Sequence, residues 1–241
     1  NIINLFQSRT DALVIDQVNN PGGNLFYMYG LLSTLTDKPL IVPKHRMAIT
    51  QEMVASPVEE LAELEKITSD SEAVAMIGPD LIGIPVTYQF VQFYKDYLNF
   101  IISQWNEGRK LTDPFHILAI DQILPCPYGR YTKPILLLTN SLDISCGDFF
   151  PAILQDNKRV TILGTQTAGA GGYVMSTEFP NRFGIQHFSY TASIAQRIDN
   201  KPIENLGVKP DIEYEITPDD IQFGYSGYGT AIDKAVHDLL N

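Results

Sequence analysis

The chain has 241 residues with 44% hydrophobic content, enough apolar material for one sizeable core and compatible with a single α/β domain. A formal net charge of −11 argues against nucleic acid as a partner, because phosphate contacts need clustered Lys and Arg. Two cysteines, Cys126 and Cys146, do not make a disulfide framework; no apolar run approaches the length of a membrane span, and no charged leader with a hydrophobic centre opens the chain.

In chain order, Ala12-Leu13-Val14-Ile15-Asp16-Gln17-Val18 reads as a strand, and Asn19-Asn20-Pro21-Gly22-Gly23-Asn24 follows it directly. Adjacent glycines can turn sharply and bring bare backbone N–H groups close to a ligand, although Pro-Gly-Gly by itself is usually a turn. About residues 56 to 108, a helical insertion is expected. Ser56-Pro57-Val58-Glu59 has the form of a helix start, with serine as N-cap and proline in the first turn, and Val58, Leu61, Leu64 and Ile67 mark one face. Phe90, Tyr94, Tyr97, Ile101 and Trp105 mark a second helix, and such an aromatic stripe is more often core than cofactor site, with a dimer face as the alternative.

Pro134-Ile135-Leu136-Leu137-Leu138-Thr139-Asn140 reads as a central strand buried on both faces. Asp143-Ile144-Ser145-Cys146-Gly147-Asp148 then places a serine between that strand and a helix-like pattern from Phe149, where a helix N-terminus leaves N–H groups free. Pro151 removes an N–H about a turn into this helix, so a kink or an offset start is expected. Taken locally, Ser145 is an ordinary N-cap. The second corner at Asn20 to Asn24 tips the reading, because amide-bond hydrolysis needs an attacking oxygen and donors for the oxyanion. Cys146 fits a small packed hydrophobe that donates its backbone N–H better than it fits a thiol nucleophile. No His-Glu-x-x-His, Cys-x-x-Cys or phosphate loop is present, so no metal or cofactor is expected.

The order strand, Asn-Pro-Gly-Gly, helix, strand, Ser145, helix, Leu163-Gly164-Thr165-Gln166-Thr167-Ala168-Gly169, then Asn205-Leu206-Gly207-Val208-Lys209-Pro210-Asp211-Ile212 resembles the tail-specific, tricorn-like serine peptidases, S41-type, over nearly the whole chain. The resemblance implies a ClpP/crotonase-like α/β fold with a mostly parallel sheet from strands near 12 to 18, 135 to 140 and 160 to 164. It implies a serine endopeptidase in which Ser145 is the nucleophile and Gly22 or Gly23 with Cys146 holds the oxyanion. The tail-specific branch uses a lysine base in the loop after the next strand, and that position here is Ala170, which leaves the Ser/His/Glu mechanism of the tricorn-like branch. The acid implied is Glu204, which local sequence alone would leave as a surface residue in a polar turn.

The base is not marked. His45 lies in the basic run Lys44-His45-Arg46, where a solvated loop is expected; His237 lies on a C-terminal helix; His116 and His187 read as half-buried, satisfied histidines. The chain is accordingly expected to be the C-terminal part of a longer enzyme whose N-terminal fragment supplies the histidine. The resemblance further implies protein substrates, a homodimer, maturation by cleavage, and a secreted effector acting on host proteins in the host-cell cytoplasm. A non-catalytic binding module or an acyl-CoA enzyme of the crotonase kind on the same fold are the competing classes.

Overall fold

The computed structural model describes residues 2–81, 84–178 and 180–241. The chain forms two compact units, one made of Asn1–Val42, Gln122–Gly172 and Arg197–Asn241, the other of Pro43–Asp121 and Tyr173–Gln196.

The first unit is built on a four-stranded, all-parallel sheet in the order Leu13–Asp16, Ile135–Thr139, Thr161–Gly164, Ile212–Glu213. Register pairs Leu13 with Ile135 and Leu136 with Thr161. Every residue of Ile135–Thr139 is buried, as the unbroken apolar run requires of a strand covered on both faces. One cover is the helix Cys146–Asp156, whose first nine residues are all buried. The other is the C-terminal helix Ser226–Leu240, which sets Ala235 against Leu136, Leu138 and Leu163.

Helix Cys146–Asp156 starts directly after Ser145 and continues through Pro151 as one helix, so the offset start expected from Pro151 does not occur. Proline at 151 cannot donate to the carbonyl four residues earlier, that of Gly147. Gln17 Nε2 donates to that carbonyl instead, at 2.9 Å. The hydrogen bond missing from the helix is supplied by the neighbouring strand end, which is why the helix tolerates the proline.

The second unit contains the helices Gln51–Leu64, Asp70–Ile77 and Tyr88–Asn106. The first starts earlier than Ser56: Thr50 is its N-cap, accepting the Met53 N–H at 3.3 Å, and Pro57 lies inside. Burial of Val54 and Pro57 decides this start, while Val58, assigned to the apolar face, is half exposed at 51%. The aromatic stripe does pack as core: Phe90 stacks on Tyr94 and Tyr94 on Tyr97, each at 6.2 Å, with Ile101 in an adjoining cluster; only Trp105 is largely exposed.

Lys44–Met47 is a strand, paired antiparallel with Ser193–Gln196, and this corrects the solvated-loop reading of His45. Alternation along the strand points Lys44 outward and His45 inward, where it is 3% exposed. Burial, reinforced by the nearby His116 charge, pushes the His45 imidazole down to about 4.

Candidate active site

Ser145 stands at the turn from the central strand into its helix with φ 60° and ψ −118°. The capped helices at Asn24, Thr50, Ser69, Thr87 and Thr217 all have extended cap residues whose side chains accept N–H groups of the first turn. Ser145 shares with Asp148 the layout of a capping box, and Asp148 accepts its N–H at 3.1 Å, but its backbone is not that of a cap. A non-glycine residue held there is strained by about 1–3 kcal/mol and persists only where its surroundings over-determine it. Here the Ser145 N–H is also directed at Ala170 O at 3.1 Å, and its carbonyl accepts from Asp148 and Phe149. Such a strained strand-to-helix elbow pushes a serine hydroxyl out of the helix line, and Ser145 is partly exposed.

The Asn20 to Gly23 corner lies against this elbow, within the same unit. Asn20 O accepts the Ile144 N–H at 2.9 Å, and Asn20 N–H reaches Asp143 Oδ1 at 2.9 Å. Asn140 Nδ2 donates to Asn19 Oδ1 at 2.9 Å. Gly22 has φ +85°, and a Cβ there would stand 2.6 Å from Ile144 O and 2.7 Å from Cys146 N, so only glycine lets the two loops close. Gly147 is equally constrained, its notional Cβ lying 2.5 Å from Asn20 O.

The two glycines differ as donors. The Gly22 N–H is donated to Asn20 Oδ1 at 3.0 Å in an Asx turn. Gly23 is exposed, and neither its N–H nor that of Cys146, the first of the helix, is donated to a protein acceptor among the described residues. The Cys146 thiol is buried, donates to Gly23 O at 3.3 Å, and is pushed up by burial, so it is not a thiolate at neutral pH.

Four buried residues that sequence reasoning passed over hold the corners together. Asp143, completely buried, accepts from Asn140 N–H at 2.9 Å, Asn20 N–H at 2.9 Å and Gln17 Nε2 at 3.0 Å. Burial raises its carboxyl above the ordinary aspartate value, partly offset by those hydrogen bonds. Gln17 ties the first strand to both Asp143 and Gly147. Asp148, also completely buried, and Thr167 join the elbow to the loop 167–170. The available signal was two acids bracketing the serine, one of them against Phe149 and Phe150.

Glu204 is half-buried on the turn that follows Ile203. That turn hangs on the same loop: Asn205 N–H donates to Gly169 O at 2.8 Å, and Val208 N–H to Thr167 Oγ1 at 2.8 Å. Ala170 places only backbone at the elbow, its carbonyl facing the Ser145 N–H. Of the four histidines, the first unit holds His237, exposed in the last turn of the C-terminal helix; His45, His116 and His187 belong to the second unit. Among the described residues no cluster of His, Cys, Asp and Glu could hold a metal ion, and no helix is long and apolar enough to cross a membrane.

The strained serine elbow and the glycine corner meet on one parallel sheet, and the family to which the chain is assigned is one of peptidases. The chain belongs to peptidase family S41, whose model matches residues 1–214. It is similar to mature CPAF (chlamydial protease-like activity factor) complexed with lactacystin, at 43% identity and TM-score 0.88, over 100% of this chain and 46% of that one. An uncharacterized protein of Chlamydia muridarum is 46% identical over 242 residues, all of this chain and 40% of the relative. A putative peptidase from Parabacteroides merdae, at 18% identity and TM-score 0.61 over 97% of this chain and 53% of that one, shares the fold alone. The chain therefore spans about 40% of the length of the chlamydial relatives it matches.

Proposed function

We propose that this chain carries the nucleophile, the acid and the oxyanion donors of a serine endopeptidase with a Ser/His/Glu mechanism. The observation that supports it best is Ser145 at φ 60° beside the Gly23 and Cys146 amides, neither of which is donated to a protein acceptor among the described residues. Ser145 Oγ attacks the peptide carbonyl. A histidine from protein outside this 241-residue stretch takes its proton, Glu204 orients that imidazole, and the two amides hold the oxyanion. Gly22 contributes by its lack of a side chain, its own N–H being used by Asn20. The relationship to CPAF extends the reading to a secreted effector that acts on host-cell proteins in the host cytoplasm, matured by cleavage and dimeric.

The test is a fluorophosphonate probe on the full-length protein. Labelling at Ser145, abolished in Ser145→Ala and reduced by prior lactacystin, is the expected result; a binding module or a crotonase-type enzyme stays unlabelled. Glu204→Gln is expected to keep substrate affinity and slow turnover, since a neutral partner stabilises imidazolium less, with Glu204→Asp milder. Equal, negligible effects of both on kcat move the acid to another residue.

A further inference from the structure

We infer that Asp148 is a positioning residue that holds the Ser145 elbow and the Glu204 turn in one reactive arrangement. The inference rests on the peptidase reading. An aspartate at the third position of a helix needs only one bond to complete a capping box. Asp148 makes four. Oδ2 accepts the Ser145 N–H at 3.1 Å and the Ala170 N–H at 3.0 Å; Oδ1 accepts the Gly169 N–H at 2.8 Å and the Thr167 hydroxyl at 2.5 Å. These fill the acceptor sites of both oxygens, with the side chain fully out of water.

The consequences differ on the two sides. Toward the serine, the Asp148 bond is one of the contacts that keep residue 145 at its strained φ. Toward the acid, the loop gripped by Asp148 carries the next link: Gly169 O receives Asn205 N–H, and Thr167 Oγ1, while donating to Asp148, receives Val208 N–H. Glu204 immediately precedes the first of those anchor points, Asn205. A single carboxylate thus fixes the backbone of the nucleophile directly and the backbone around the acid through one further hydrogen bond. Its displacement shifts both, and misplacement of about 1 Å can cost about a hundredfold in rate.

The test uses the full-length protein, following fluorophosphonate labelling of Ser145 as a function of probe concentration, alongside thermal unfolding. Asp148→Asn keeps the shape but replaces one oxygen by an NH2 group that faces two donors. The expected result is a folded protein whose maximal labelling rate falls by about a hundredfold with the half-saturating concentration unchanged. Thr167→Val, which removes the hydroxyl, is expected to lose rate in the same way, and Thr167→Ser, which keeps it, to recover it. A folded Asp148→Asn protein labelled at the wild-type rate overturns the inference. If that variant does not fold, Thr167→Val at the wild-type rate overturns it instead. Unlabelled wild-type protein sinks the peptidase reading and this inference together, whereas labelled wild type with indifferent variants sinks this one alone.

Discussion

At the residue scale, Ser145 bears two separable costs, a side chain the proposed chemistry needs and a backbone conformation that its side chain resists. Substitution can divide them. Ser145→Ala removes the hydroxyl and keeps the strain; Ser145→Gly removes both. Both variants are expected to lose labelling, but Ser145→Gly should unfold at higher urea than Ser145→Ala, by about 1 kcal/mol at 25 °C. Equal midpoints would mean that the backbone at 145 is not strained. The serine itself was visible as the residue between an apolar strand and a helix pattern. Its φ was not, because the restraint comes from Ala170 and Asp148, and Ala170 is 25 residues away in sequence.

At the scale of elements, the two proline expectations failed because each was read from local sequence. A local rule prices the missing N–H of a proline as if nothing else could serve the orphaned carbonyl. For Pro151 the donor is Gln17, 134 positions away; for Pro57 the residue is buried in a helix started by Thr50. Replacing Gln17 by Leu leaves the Gly147 carbonyl without its donor, at a cost of about 1–3 kcal/mol. In a Pro151→Ala background the helix supplies its own N–H, so the same change should cost clearly less. A double-mutant cycle by urea unfolding measures this, and additive effects would show that Gln17 does not compensate for Pro151.

The strand with His45 gives a pH signature. Its folded value of about 4 lies below the unfolded 6.5, so the unfolded chain binds more protons between those values. Stability contributed by neutral His45 is fully present above pH 6.5 and is lost as pH falls toward 4, by about 3 kcal/mol over the window. His45→Leu should flatten the dependence of second-unit unfolding between pH 6.5 and 4. An unchanged slope would assign the titration to another group.

At the scale of the whole molecule, the unit that holds Ser145, Glu204 and the amides proposed as oxyanion donors has one histidine, and it lies exposed on the C-terminal helix. An unassisted serine hydroxyl is a poor nucleophile near neutral pH. The 241-residue chain by itself is therefore expected to be inert toward casein, and the full-length protein active. Robust, Ser145-dependent cleavage by the isolated chain, lost on mutation of one of its own histidines, would place the base within it.

Sequence by itself determined the parallel sheet, the serine corner and the family order of motifs, because long apolar runs and strand-to-helix turns are local properties that survive any packing. It left Gly22 and Gly23 undistinguished as donors, since both can turn and only the Asn20 side chain consumes one of them. It read Lys44-His45-Arg46 as a solvated run, since charge is visible in the residue types and the inward face of a strand is not. Tertiary structure alone decided the strained φ of Ser145, the start of the helix at Gln51 and the convergence of Gln17, Asp143, Asp148 and Thr167. The physical reason is common to all of them: each depends on a hydrogen bond or a burial supplied by residues distant in the chain, and such partners exist only once the sheet has brought the loops together.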